Sequence, residues 1–348
     1  MTDVLRVDPA KPDEELIARA AECLRAGGLV AFPTETVYGL GAHALDTPAV
    51  LRLFAAKERP ANDPLIVHTA TIEEAMPLVE EMPRVARDLA AQFWPGPLTM
   101  VLKRSAQVPD VVTAGLDTVA VRVPVHPIAR ALLERARIPI AAPSANLFSR
   151  PSPTRAAHVI ADLADRIDIV LDGGATNVGV ESTVIDLSGA VPTILRPGAI
   201  DLEALQQLLP GVTTSRAAAG TGAMPSPGML AKHYSPKTPL HLYRGDREAA
   251  LDRMGRDARQ RKAGGESVVV LAYTEDVSHV REFGVRVVEC GAEADAAAVA
   301  ARLYAALREC DELGAAVIFA RTITTPHPLS AAIEDRLRRA AASLIPDP

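Results

Sequence analysis

Apolar and polar positions follow two different periods along this chain. Residues 14–26 repeat apolar side chains at helical spacing, and the unbroken apolar run Leu29-Val30-Ala31-Phe32 after them reads as a buried strand. Short apolar stretches at residues 65–68, 98–102, 118–123, 138–142, 167–171 and 182–187 predict further strands. Thr47 reads as an N-cap with Pro48 at the first helical position, and Val50, Leu51 and Phe54 supply that helix with an apolar face. Several strands succeed one another without a helix between them. The sheet expected from residues 1–210 is therefore mixed rather than purely parallel.

The pattern changes after residue 210. Residues 211–238, VTTSRAAAGTGAMPSPGMLAKHYSPKTP, are dominated by Gly, Pro, Ser and Ala and predict a linker, with a lid over an active site as its candidate function. Beyond it a β-α-β rhythm sets in. Strands are expected at 240–243, 267–273, 285–290 and 315–320, and helices at 247–262, 294–313 and from 330. That rhythm predicts a smaller, doubly wound domain over residues 239–348. The fold class is α/β throughout.

Composition narrows the function classes. The 348 residues carry a net charge of -6, which argues against a general nucleic-acid-binding surface. Aromatic residues make up 3%, so aliphatic side chains must fill the core, and base-stacking platforms are scarce. The three cysteines, Cys23, Cys290 and Cys310, are isolated and suggest neither a disulfide framework nor a zinc site. The polar, acidic start does not resemble a signal peptide, and no uncharged run reaches membrane-spanning length. A cytoplasmic location is expected.

The most informative segment is GLVAFPTETVYGLG, residues 28–41, where a buried strand runs into a turn rich in hydroxyls. Pro33 removes a backbone donor and predicts that regular pairing stops there. Residues 174–179 have the two-glycine spacing of a phosphate-binding loop, but Val180-Glu181 stand where Lys-Ser/Thr should follow, so that reading is rejected. Lys57 and Arg59 flank Glu58 ahead of Pro60. They are either cations favoured at a helix end or two cations aimed at one polyphosphate. Arg122 interrupts an apolar strand, so it lies on a solvated face or against a fixed anion. Ser144-Ala145-Asn146, Glu181-Ser182-Thr183 and Arg196-Pro197-Gly198 offer the same choice between turn chemistry and ligand binding.

Read in order, FPTETVYGLGA, KxRP with PLIVH, FWPGPLT, TVAVRVP, PSAN, GVESTVID, LRPGAI and HYSP resemble the YrdC-like family in its long, two-domain, threonylcarbamoyl-AMP-forming version. The resemblance covers nearly all of residues 14–200 and the linker HYSP. It implies a twisted mixed-sheet domain with a concave basic pocket. It also implies a reaction joining L-threonine, bicarbonate or CO2, and ATP into L-threonylcarbamoyl-AMP and pyrophosphate. It assigns ATP to Lys57, Arg59, Asp63, Thr118, Ser144, Asn146, Ser152, Arg196 and Tyr234, with Lys57, Arg59, Ser144 and Asn146 closest to the chemistry. It assigns L-threonine to Thr36, His68, Arg122, the backbone of Ala142, and Ser182. Mg²⁺ is expected with the triphosphate, and no protein-built metal site is evident. The product would pass to a tRNA threonylcarbamoyltransferase complex, with little or no direct tRNA binding here. The chain departs from the family in having Leu147-Phe148-Ser149 where Ser-Gly often follows the SAN segment.

Overall fold

A computed structural model describes residues 1–215, 224, 226 and 233–346. The chain divides into two compact units. One comprises 1–148 with 152–231, and the other 149–151 with 232–348.

The first unit contains β1 (Asp3–Arg6), β2 (Val30–Pro33), β3 (Tyr38–His43), β4 (Ile66–His68), β5 (Leu98–Lys103), β6 (Thr118–Arg122), β7 (Ile140–Ala141), β8 (Ile169–Asp172), β9 (Thr183–Asp186), β10 (Thr193–Arg196) and β11 (Thr213–Thr214). They form one sheet in the order β1-β8-β2-β3-β7-β4-β6-β5-β9-β10-β11. Its pairings are mixed, as expected: β4 runs parallel to β6, whereas β5 and β6 are antiparallel.

Strand alternation divides the sheet between two cores. In β2, Ala31 packs with Leu40, Leu53 and Val121, while Val30 and Phe32 face Leu24, Ile128 and Leu132 from the helices Glu14–Arg25 and Pro127–Ala136. Across β4, β6, β5 and β9 the second face carries a small apolar group of its own, including Ile66, Val101, Ala120 and Val184. The same parity puts His68, Thr99, Arg122, Thr118 and Ser182 on that face, each two positions from one of those residues.

One local expectation holds and one needs correction. Regular pairing of β2 stops at Pro33, which is the last residue matched, with Tyr38, in the β2–β3 hairpin; the turn is closed by Thr34 donating its amide to the Val37 carbonyl at 3.2 Å. A proline is tolerated at a strand end, where no ladder donor is required of it. The helix Thr47–Lys57 is capped by Asp46, not Thr47, because the Asp46 carboxylate accepts from the Ala49 amide and moves the helix start back by one residue. Gly41 has a packing reason. A Cβ there would stand 2.8 Å from Ile140 and 2.9 Å from Phe32, too close for any side chain.

The second unit holds β12 (Leu240–Tyr243), β13 (Val268–Ala272), β14 (Arg286–Glu289), β15 (Val317–Arg321) and β16 (Ser343–Ile345) in the order β14-β13-β15-β12-β16. Every pairing among them is parallel. The helices Arg247–Ala263, Ala296–Glu312 and Ser330–Ala340 alternate with the strands, as the β-α-β rhythm predicts. Continuous apolar runs such as VVVLA and VIF are fully buried, as parallel strands require.

Candidate functional site

The TET turn and the end of β6 are tied together by a buried arginine. Arg122, 3% exposed, donates from Nη2 to Glu35 Oε1 at 2.6 Å, from Nη1 to Thr36 Oγ1 at 3.1 Å and from Nε to the Gly96 carbonyl at 3.2 Å. The anion that a buried Arg122 demands is thus supplied within the same hydroxyl-rich motif, by Glu35. The second Glu35 oxygen accepts from the Val125 amide at 3.3 Å. Thr36 Oγ1 lies 2.8 Å from the Thr34 hydroxyl. The loop that had suggested a phosphate cradle braces this turn instead: the Val178 and Gly179 amides donate to the Glu35 and Thr36 carbonyls at 2.9 and 3.0 Å.

His68 sits beside Arg122 in the β4–β6 register and is 3% exposed. Its Nδ1 has no hydrogen-bond partner. Burial, and then the Arg122 charge, push its pKa down to about 3, so the imidazole is neutral at physiological pH. Backbone groups of Ile66 and Ile140 lie close enough to the ring to oppose that shift, but Nδ1 itself makes no hydrogen bond and is buried polar capacity. Ala142 lies next to this group; its amide donates to the Ile66 carbonyl at 2.9 Å.

A second cluster joins β9, β10 and β5. Arg196 donates to the Ser182 carbonyl from Nε at 3.2 Å and from Nη2 at 3.1 Å, and to Ser182 Oγ at 3.1 Å. Ser182 Oγ is 2.8 Å from the Thr99 hydroxyl. Ser152 donates to Glu181 Oε1 at 2.5 Å. Gly198 permits this crowding, because a Cβ there would meet the Thr183 amide nitrogen at 2.3 Å.

Lys57 and Arg59 are both buried, and they do different things. Lys57 ends its helix and donates from Nζ to the Ser144 carbonyl at 2.5 Å and the Asn146 carbonyl at 2.6 Å. It therefore fixes the backbone of the SAN turn. Burial first, and the nearby Arg59 charge second, hold its pKa well below the ordinary lysine value. The Lys57 carbonyl accepts from the Phe148 amide at 2.8 Å, so the divergent Leu147-Phe148 stretch is also tied to this helix end. Glu58 caps the helix in the left-handed region, at φ 54. Arg59 then turns to Asp63: Nε donates to the Asp63 carbonyl at 3.0 Å and Nη2 approaches Asp63 Oδ2 at 2.9 Å. Thr118 opens β6, half-buried and opposite Lys103.

Tyr234 belongs to the second unit, where it is 1% exposed and its ring lies 5.5 Å from that of Tyr304 and 5.3 Å from the Arg336 guanidinium. Most of the expected lid, 216–223, 225 and 227–232, lies outside the described residues.

Sequence reasoning overlooked Glu35, Gly96, Thr99 and Glu181 as partners in these networks. The available signal was the arginine within an apolar strand, which left a solvated face or a fixed anion as the two choices; its burial selects the anion. Among the described residues no group of three or more side chains could hold a metal ion. The acids beside the expected ATP residues, Asp63 and Glu181, are engaged with Arg59 and Ser152.

Comparison with known proteins gives this arrangement its context. The Sua5/YciO/YrdC family model, described as telomere recombination, matches residues 22–198. A second, described as the C-terminal domain of threonylcarbamoyl-AMP synthase, matches residues 200–342. The chain is 43% identical to the threonylcarbamoyl-AMP synthase of Pyrococcus abyssi, over 94% of this chain and 95% of that one. Identity to the Bacillus subtilis protein of the same name is 42%, over 97% and 96%. Among solved structures, P. abyssi Sua5 complexed with L-threonine aligns with a TM-score of 0.92 at 41% identity, over 100% of both chains. E. coli YciO aligns with a TM-score of 0.52 at 27% identity, over 59% of this chain and 100% of that one. The chain belongs to the Sua5/YciO/YrdC family and carries, behind that domain, the C-terminal domain of the threonylcarbamoyl-AMP synthases.

Proposed function

We propose that this protein is a threonylcarbamoyl-AMP synthase. L-Threonine, as the free amine, and bicarbonate condense to a carbamate with loss of water. A carbamate oxygen then bonds to the α-phosphorus of ATP as the bond to the bridging oxygen breaks, and pyrophosphate leaves. No enzyme nucleophile is required. Catalysis of this kind is positioning together with charge stabilisation.

The observation that carries the reading is the Arg122–Thr36–His68 group, which combines a buried cation, a hydroxyl and a neutral imidazole whose Nδ1 has no hydrogen-bond partner. Arg122, whose Nε, Nη1 and Nη2 each hold one partner in the chain, would meet the threonine carboxylate with the remaining N–H groups of Nη1 and Nη2. Thr36, the Ala142 backbone and Ser182 complete the amino-acid side. His68, held neutral, accepts a hydrogen bond from the substrate hydroxyl or amine. Arg59, Asp63, Thr118, Ser144, Asn146, Ser152 and Arg196 serve ATP, with Tyr234 joining them from the linker. Lys57 contributes by holding the SAN turn that presents Ser144 and Asn146. Mg²⁺ would arrive on the triphosphate, which is the usual habit of an ion bound mainly by phosphate oxygens. The product would be used by a transferase acting on tRNA beside the anticodon, and the protein would work in the cytoplasm with little tRNA contact of its own. Among the described residues no helix is long and apolar enough to cross a membrane.

Pyrophosphate release measured with ATP and bicarbonate, with and without L-threonine, tests the reading. A burst that depends on L-threonine is expected. Release that ignores L-threonine would overturn it.

A further inference from the structure

The C-terminal unit contains a buried charged cluster that the proposed reaction does not use. In doubly wound sheets, ligands sit outside the carboxyl ends of the strands where onward connections diverge. Here the neighbours β13 and β15 send their connections in opposite directions, β13 outward to β14 and β15 past β12 to β16. Arg321 ends β15 at that point and is 2% exposed. It donates from Nε to Asp276 Oδ2 at 2.6 Å and from Nη1 to the Thr322 carbonyl at 3.0 Å. Its guanidinium lies 4.4 Å from the centre of the Tyr273 ring.

Into this crevice the loop after β14 inserts Glu293, 5% exposed. One carboxylate oxygen, Oε2, accepts from Arg321 Nη2 at 2.5 Å. The other, Oε1, takes three bonds at once: from the Thr324 amide, from Thr324 Oγ1 at 2.7 Å and from the Thr325 amide at 2.9 Å. Burial would raise the Glu293 pKa, but the bonds from Arg321, Thr324 and Thr325 outweigh it and hold the carboxyl at about 2. Two successive amides, a hydroxyl and a guanidinium converging on one position make a donor set for an oxyanion. A simple ion pair would need only the guanidinium.

We propose that this crevice is an oxyanion site filled from within. The Glu293 carboxylate stands where a phosphate or carboxylate group of a ligand would stand, and it closes the crevice to nucleotides. Glu293 is itself anchored, since its amide donates to both Glu275 carboxylate oxygens at 3.1 Å. Asp276 keeps its place through Arg247, whose Nε donates to Oδ1 at 2.7 Å. Removing Glu293 therefore leaves the donors preformed and short of one negative charge.

The test is anion rescue in the full chain. Glu293→Ala is compared with the unmodified protein in sodium formate, inorganic phosphate and sodium chloride at matched ionic strength. The readouts are the melting temperature and hydrogen exchange at the Thr324 and Thr325 amides. In chloride the variant is expected to melt lower and to exchange those amides faster. Formate and phosphate should restore both, and the unmodified protein should respond to neither anion. Should the variant not survive purification, its refolding yield from urea with formate against chloride reads the same competition. Equal behaviour in all three salts would overturn the proposal, as would anion-dependent protection in the unmodified protein.

Discussion

Arg122 and Arg321 occupy equivalent positions in unrelated parts of the chain. Each closes a five-residue strand, TVAVR in β6 and VIFAR in β15, and each is buried against a carboxylate on a neighbouring loop. Their surroundings differ. Around Arg122 the partners are one carboxylate, a hydroxyl and a carbonyl, and the adjacent His68 Nδ1 is unpartnered. Around Arg321, two carboxylates share the guanidinium, and no buried side-chain atom of Asp276 or Glu293 lacks a partner. A buried arginine at a strand end therefore does not itself mark a working site. The marker is polar capacity left over once the chain has satisfied itself.

Alanine at the two positions should separate these roles most sharply. If Arg122 holds the substrate carboxylate as proposed, Arg122→Ala removes two charge-assisted contacts, each worth ~1.5–3 kcal/mol, so kcat/KM for L-threonine should fall by about 10²–10⁴ in the folded fraction, beyond the stability lost by stranding the buried Glu35 carboxylate. Steady-state pyrophosphate assays measure this. Arg321→Ala instead strands two buried carboxylates. It should cost about 3–5 kcal/mol of stability in urea unfolding, without changing the KM for L-threonine in the surviving folded fraction. If Arg321→Ala raised that KM, the distinction would collapse.

Arg59→Ala comes next. Arg59 is expected to face ATP phosphates despite its contact with Asp63, and its loss should lower kcat at least tenfold, about 1.4 kcal/mol of transition-state stabilisation. A rate close to that of the unmodified enzyme would return Arg59 to a purely local role, holding the 59–64 turn through its bonds to the Asp63 and Pro64 carbonyls.

His68 gives a smaller, pH-dependent effect. Its folded pKa of about 3 lies below the value of 6.5 for the free side chain. The unfolded chain therefore binds a proton that the folded chain refuses, and stability must fall as pH drops from about 6.5 toward 3. The limiting slope is about 1.4 kcal/mol per pH unit. His68→Leu should flatten this part of the unfolding profile while raising the KM for L-threonine. His68→Gln, a neutral hydrogen-bonding replacement, should retain more activity than leucine. A kcat/KM profile that titrates with a His68-dependent group near pH 6.5 would contradict a permanently neutral imidazole.

Much of the fold was legible because periodicity is local. The apolar runs of β4, β5, β6 and β12 and the helices at 14–25 and 247–263 emerge nearly at their predicted bounds. The short strands were harder to read. β1, β10 and β11 carry polar or exposed positions that give no run, and they exist because a neighbouring strand offers them a ladder. The candidate site residues could be picked out one by one from the sequence, but the hydrogen-bond network among them could not. That Arg122 needed an anion followed from burial, but that Glu35 is that anion depends on a hairpin bringing the TET turn to the end of β6. Likewise the sequence left Lys57 and Arg59 as either helix-end cations or a pair aimed at one polyphosphate, and it did not show that the left-handed Glu58 between them sends one toward the SAN turn and the other toward Asp63.

The smallest effect bears on whether Tyr234 serves the open site or the closed unit. Its ring packs in the second unit against Tyr304 and Arg336. Tyr234→Ala would damage that packing and any nucleotide contact together, so it cannot separate them. Tyr234→Phe keeps the ring and removes only the hydroxyl. A neutral hydrogen bond to nucleotide is worth about 0.5–1.5 kcal/mol, so the KM for ATP should rise roughly two- to tenfold at an unchanged melting temperature. If the phenylalanine variant matches the unmodified enzyme in both KM and kcat while the alanine variant only melts lower, Tyr234 is a packing residue. The assignment of ATP would then end with the residues of the first unit.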